Sequence, residues 1–164
     1  MRSIILDSCT LINLINAEAL TIVFSLSGFK FFIGELVYDE CCQIDEQKTF
    51  IDICINTGKV EILKDQISIT EFKEIKSKYS LGDGESESIA LSKKIGYAVA
   101  TDDSKARKSV VKEVGETQLC GSIFLIRELI QQCHITCLEG QEIQNIMIAC
   151  GGFLPRVDED YLCK

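Results

Sequence analysis

A layered α/β domain built on a parallel sheet is the fold class this sequence predicts, and three observations predict it. Two apolar runs of strand length, Ile4-Ile5-Leu6 and Tyr97-Ala98-Val99-Ala100-Thr101, show no apolar–polar alternation, as expected of strands covered on both faces. The segments between strand candidates carry apolar residues at helical spacing. Strands that alternate with helices pair in parallel through crossovers. With 164 residues, 46% of them hydrophobic, the chain suits a single domain over 1–164 with a substantial core.

Ser3 to Leu6 is the first strand. Asp7-Ser8-Cys9-Thr10 then offers capping side chains, and Leu11-Ile12-Asn13-Leu14-Ile15 continues at helical spacing. A second helix is predicted over Ala17 to Leu26 and a short strand over Phe29 to Ile33. Glu35 to Asn56 reads as a long helix with a break near Ile44-Asp45, stopped by Gly58. Val60 to Leu63 alternates as a strand, and Ile69 to Tyr79 has a helical, lysine- and glutamate-rich pattern. Leu81-Gly82-Asp83-Gly84 is a turn, followed by a helix from Glu85 to Ile95 that Gly96 stops. The strand Tyr97 to Thr101 leads into a helix over Ser104 to Val114 with basic residues on one face. Thr117 to Cys120 is the last strand, and Gly121-Ser122 leads into a helix over Ile123 to Cys133. A further helix covers Leu138 to Cys150 and ends at Gly151-Gly152. Phe153 to Lys164 is a tail, loose or packed as one short turn, so the core lies at about 3–130 and a helical extension and tail at 131–164.

No apolar run approaches the roughly 20 residues that span a bilayer, so no membrane partner is expected. The start, Met1-Arg2-Ser3-Ile4-Ile5-Leu6-Asp7, loses its apolar character too early for a signal peptide, and a cytoplasmic location is expected. The nine cysteines are odd in number and show no paired spacing, so a disulfide framework is not expected and they read as small buried hydrophobes. Cys133-His134-Ile135-Thr136-Cys137 lacks a second matched ligand pair for structural zinc. A net charge of −8 argues against broad nonspecific nucleic-acid binding. Yet Lys93, Lys94, Lys105, Arg107, Lys108 and Lys112 crowd one stretch against only Asp102 and Asp103. They are either solvated helix faces or a local rim that holds phosphate.

The acids carry the chemistry. Asp7 closes the first strand run, and Asp102 and Asp103 close the run from Tyr97. Glu40 ends Glu35-Leu36-Val37-Tyr38-Asp39, and Glu85 and Glu87 open a helix after Gly82-Asp83-Gly84. Open α/β sheets bind ligands at the carboxyl ends of their strands. Carboxylates gathered there repel one another unless a hard cation neutralises them, so a divalent-metal site and a phosphodiester substrate are the economical reading. Each acid also has an ordinary alternative. Asp7 and Asp102-Asp103 can cap the helices that follow, Glu85 and Glu87 can be first-turn charges, and Glu40 can face solvent. Glu85 reaches the strand ends only if its helix runs across the top of the sheet, which spacing leaves open.

In order and spacing, Ile4-Ile5-Leu6-Asp7-Ser8-Cys9, Glu35-Leu36-Val37-Tyr38-Asp39-Glu40, Gly84-Glu85-Ser86-Glu87-Ser88-Ile89-Ala90-Leu91 and Ala100-Thr101-Asp102-Asp103-Ser104-Lys105-Ala106-Arg107 resemble the PIN-domain pattern, as does Gly121-Ser122-Ile123-Phe124-Leu125-Ile126. The resemblance implies a three-layer α/β/α fold around a parallel sheet of four or five strands. It also implies a Mg2+- or Mn2+-dependent ribonuclease, often the toxin of a toxin–antitoxin pair of the VapC-like type. RNA would then be the substrate and an antitoxin protein a partner. Carried over by position, Asp7 is the first catalytic, metal-binding acid, Glu40 the second, Glu85 or Glu87 the third with Glu85 favoured, and Asp102 or Asp103 the fourth. Ser8 and Thr10 would support the metal ligands through their hydroxyls, and Lys105 or Arg107 would hold phosphate. The Gly34-to-Asn56 region is apolar enough to support a homodimer.

Three rivals are weaker or remain open. A haloacid-dehalogenase-type phosphotransferase needs a second aspartate where Cys9 stands. A receiver domain needs a lysine at the end of a late strand and a paired acid near the start. A PIN-like binding module without catalysis is the alternative that stays open.

Overall fold

Five strands make one all-parallel sheet in the computed structural model, which describes residues 1–64 and 66–164. They are β1 (Arg2–Leu6), β2 (Phe29–Gly34), β3 (Glu61–Leu63), β4 (Ala98–Ala100) and β5 (Leu119–Cys120), in the order β3-β2-β1-β4-β5. The helices are α1 (Ser8–Asn16), α2 (Leu20–Val23), α3 (Glu35–Cys41), α4 (Asp45–Asn56), α5 (Ile69–Tyr79), α6 (Asp83–Ile95), α7 (Ser104–Val114), α8 (Ser122–Gln131), α9 (Cys137–Ala149) and α10 (Glu159–Cys163).

Side chains alternate across the sheet, which explains why the central strands are apolar throughout. Ile4, Leu6, Phe31, Ile33, Ala98 and Ala100 join the cluster formed with α1, α2, α8 and α9. Ile5, Phe32 and Val99 point the other way, onto α5, α6 and α7. The result is the expected three-layer α/β/α fold with five parallel strands. Ile4, Ile5 and Leu6 are fully buried, and burial of each such side chain contributes about 1.5–3 kcal/mol.

The strand order decides where a ligand can sit. From β1 the chain steps outward to β2 and β3, then returns to β4 and steps outward to β5 on the other side. The carboxyl ends of β1 and β4 therefore flank the point where the direction reverses, the usual ligand crevice of an open α/β sheet. The register pairs Leu6 with Ala100, so Asp7 and Thr101 emerge side by side.

Several expectations are corrected. The helix predicted over Ala17 to Leu26 shrinks to α2, because Ala17 and Ala19 donate back to Asn13 and Leu14 as the close of α1 and Glu18 takes a left-handed φ of 54°. The helix placed at Glu85 starts earlier, at Asp83. The strand at Thr117 shortens to Leu119–Cys120 behind a 3-10 turn at Glu116–Gln118. The predicted break in the Glu35–Asn56 segment separates α3 from α4.

The cysteine reading also changes. Cys41, Cys54 and Cys120 are buried, but Cys133 and Cys150 are exposed and Cys137 is joined to Cys163. That disulfide ties α9 to α10 across a Cα–Cα distance of 5.8 Å, a pairing that a separation of 26 residues does not advertise. The tail is therefore fixed as a short helix, with Leu162 fully buried. Under oxidising conditions Cys163→Ser is expected to lower stability by ~3 kcal/mol in urea unfolding. With excess reductant the difference should nearly vanish.

Candidate metal centre

Asp7 leaves the end of β1 and its amide donates to Ala100, extending the ladder by one step. Its carboxylate is fully buried. One oxygen accepts from the Ser8 amide at 2.8 Å, which caps α1. The other accepts from the Thr101 hydroxyl at 2.8 Å and the Cys9 thiol at 3.1 Å. Burial pushes the Asp7 carboxyl up to about 6, and the Glu85 charge adds to the rise. Burial and the Asp7 charge push the Cys9 thiol up to about 12, so it is a neutral donor to Asp7 and no thiolate ligand.

The first residues of α6, behind its cap Gly82, explain how two glutamates reach this place. Glu85 bonds back to the Gly82 amide at 2.9 Å, and Glu40 of α3 accepts from the Gly84 amide at 2.9 Å. A Cβ on Gly84 would sit 2.6 Å from the Glu40 carboxylate, so glycine lets α3 close onto the start of α6. Both carboxylates thus meet the positive end of α6. Burial raises the Glu85 carboxyl, and Asp103 and Glu40 raise it further. α6 packs against β1, β2 and β4, which brings its start over the strand ends.

Asp102 and Asp103 separate in role. Asp103 caps α7 with one oxygen, which accepts from the Lys105 and Ala106 amides at 2.8 and 2.7 Å, and its charge is felt at Glu85. Asp102 turns the other way. Its oxygens take the Asn13 side chain, the Ser122 amide and the Ser122 hydroxyl at 2.9, 2.8 and 2.5 Å. It braces β4 against α1 and α8, and the extended Gly121 leaves the room, since a Cβ there would lie 2.7 Å from Asp102 Oδ1.

Four acids from four elements therefore share one neighbourhood: Asp7, Glu40, Glu85 and Asp103. The PIN-domain family profile matches residues 3–156. The chain belongs to the PIN-domain family. A search of curated proteins finds no match. PIN domains are mostly metal-dependent nucleases, and the match extends past residue 130, where the sequence motifs stop.

In this PIN domain the donor set suits a hard cation. All four groups offer oxygen; burial raises the Asp7 and Glu85 carboxyls, and their carboxylate neighbours add to the rise, which a bound cation would oppose. The cluster is open: among the described residues only Cys137, Glu159 and Cys163 bring three potential ligand atoms within 4.8 Å of one another, and those two sulfurs are bonded together. An open set fits Mg2+, which keeps several waters and takes only one or two carboxylates directly.

Other candidates are placed elsewhere. Glu87 is a correction: its oxygens accept from the Glu35, Leu36 and Val37 amides at 3.0, 2.9 and 3.3 Å, so it caps α3. Burial pushes its carboxyl up to about 7 while those amides pull it down. The hydroxyls of Ser8 and Thr10 make no bond to Asp7, and Thr10 Oγ1 is buried without a partner; Cys9 and Thr101 do that work instead. Lys105 donates to the Ser80 carbonyl, beside Glu85. Lys93 and Lys94 pair with Glu74, Glu113 and Glu71 on the outer face and form no phosphate rim. Arg107 gives one nitrogen to the Thr101 and Cys120 carbonyls. No helix among the described residues is long and apolar enough to cross a membrane.

The two aspartates should part company on mutation. Asp102→Ala strands buried donors on Asn13 and Ser122 and is expected to cost about 2–4 kcal/mol of stability. Asp103→Ala is expected to lose a helix cap worth about 1 kcal/mol and, with it, any metal-dependent cleavage. Thermal melts beside a cleavage assay separate the two. Equal stability losses would contradict the division.

Proposed function

We propose that this PIN domain is a metal-dependent endoribonuclease that hydrolyses RNA phosphodiester bonds, and that it is the toxin of a type II toxin–antitoxin pair. The observation that carries the reading is the convergence of Asp7, Glu40, Glu85 and Asp103 at the β1/β4 switch point. Bound Mg2+ or Mn2+ would supply charge neutralisation and Lewis acidity at the scissile phosphate.

The chain's residues supply the rest. Thr101, Cys9 and the Ser8 amide fix the Asp7 carboxylate, which is buried and feels the Glu85 charge. The start of α6 holds Glu40 and Glu85 at fixed positions through backbone amides, so neither has to be ordered when substrate arrives. Asp103 keeps one oxygen free of its helix cap. Lys105, adjacent to Glu85, is placed to meet a phosphate oxygen. His134 lies on the turn between α8 and α9, outside this set, so no imidazole is asked to move a proton.

The partners in this reading are RNA, a cognate antitoxin protein and a second copy of the chain. The half-exposed Ile44 and Ile53, at the start of α4 and within it, support the last. Purified protein is expected to cleave single-stranded RNA with Mg2+ or Mn2+, to stop with chelator and to resume when metal is restored. Cleavage indifferent to chelator would defeat the metal assignment. Binding without cleavage under every metal tested would favour the noncatalytic module. A small open reading frame directly upstream whose product blocks cleavage would support the toxin role.

A further inference from the structure

The chain has four arginines; two line one cleft at the β5 edge, and the other two neighbour residues that line it. Arg107 and Arg127 line it. The Arg2 guanidinium lies 5.0 Å over the ring of Phe124, a lining residue, and Arg156 sits between Pro155 and Val157, which also line it. Among the described residues no arginine forms an ion pair; the ion pairs belong to lysines of α5 and α6 on another face. In a chain of net charge −8, guanidinium groups gathered here without a carboxylate partner need a physical reason, although Arg2 also donates to the Thr117 carbonyl.

Arg127 makes the case sharpest. Its Nε is buried and has no hydrogen-bond partner, while its guanidinium lies 5.1 Å over the Tyr161 ring. The Nε is shut off from solvent, and no other Arg127 nitrogen bonds a described residue, so the outer guanidinium nitrogens are left to meet an acceptor in the cleft that Arg127 lines. Arg107 is held by its two carbonyl bonds through Nη1, and its remaining donors make no bond among the described residues. The cleft has a volume of about 270 Å³. Among the described residues the only acid that lines it is Asp102, whose oxygens are already taken by Asn13 and Ser122. Asp102 also lines the pocket that contains Asp103, so the two share a wall at the end of β4.

We infer that this cleft is a subsite for the sugar–phosphate backbone of single-stranded RNA, with Arg127 and Arg107 as phosphate ligands and Phe124 and Tyr161 as faces for a neighbouring base. It rests on the ribonuclease reading for the identity of the strand. Guanidinium groups interleaved with aromatic rings suit a single strand, because each nucleotide presents both an anion and a π-face. The subsite also resolves how so acidic a protein can hold RNA: the contact is local and confined to one edge.

The test uses the full chain and a short mixed-sequence single-stranded RNA. Arg127→Gln is expected to weaken RNA binding by about tenfold in fluorescence anisotropy with chelator present, and to lower the salt slope by about one phosphate contact. With Mg2+ the loss should appear in KM and be several-fold larger on RNA than on bis(p-nitrophenyl) phosphate, which is too small to span both places. Arg156→Gln lies on an exposed segment and cannot unfold the core; it should show the same salt signature with a smaller loss. Unchanged affinity and salt slope in both variants overturn the subsite and mean that water alone satisfies Arg127. If wild-type protein binds RNA but cleaves neither substrate, while Arg127→Gln still weakens binding, the subsite stands and the ribonuclease reading falls. Cleaving wild type with RNA binding unaffected by either variant gives the reverse.

Discussion

Asp7→Asn is expected to abolish metal-dependent RNA cleavage while making the metal-free protein more stable above neutral pH. The Asp7 carboxyl is raised in the fold from its ordinary 3.8 to about 6. A raised carboxyl favours the folded state below 3.8, and that contribution is lost as pH rises through 6, because the unfolded chain ionises the group more easily. By about pH 8 the buried charge costs the metal-free protein roughly 2–4 kcal/mol, which asparagine removes. Asparagine loses little packing, since it can still accept from Ser8 or Thr101. Urea unfolding in chelator should therefore show the variant gaining on wild type between about pH 4 and pH 7 and holding the gain above it. Added Mg2+ should stabilise wild type and leave the variant unmoved. Full activity in Asp7→Asn would end the assignment.

Gly34→Ala carries the largest expected stability loss. The Gly34 φ of −78° accepts any residue, so backbone strain plays no part. A Cβ there would instead fall within the Glu87 carboxylate, whose oxygens hold the first three amides of α3. Displacing Glu87 takes its acceptor away from the start of α3, where the Val37 amide is buried, and forces the overlapping side chain to move, at an expected cost of about 3 kcal/mol or more. Because α3 also carries Glu40, metal affinity should fall with stability. Glu87→Gln keeps the shape and one carbonyl oxygen, so it should lose less than half as much. If Gly34→Ala unfolds within about 1 kcal/mol of wild type, the Glu87 bridge does not anchor α3.

Asp7 was visible because it ends an unbroken apolar run, and a buried parallel strand has one place to put its next residue. Glu85 and Glu87 were not separable by pattern. They stand two residues apart on one helix, about 200° around its axis, so they face different neighbours once α3 is docked. Asp102 and Asp103 diverge for a similar reason: successive residues leaving a strand point to opposite sides. The supporting donors were misjudged because the hydroxyls nearest Asp7 in sequence, Ser8 and Thr10, are less well aimed than the hydroxyl of Thr101 across the sheet. The disulfide and the arginine cleft escaped notice because their members are scattered from Arg2 to Cys163.

The chain alone determined its layers, the parallel pairing and the neighbourhood of the acids, since hydrophobic period and turn chemistry are local properties written into consecutive residues. Only the packed structure decided that Glu87 and Asp102 have both oxygens taken by donors, while Glu40, Glu85 and Asp103 each keep one oxygen without such a bond among the described residues. That division depends on which backbone amides approach each oxygen, and those amides come from segments remote in sequence whose approach is set by helix docking.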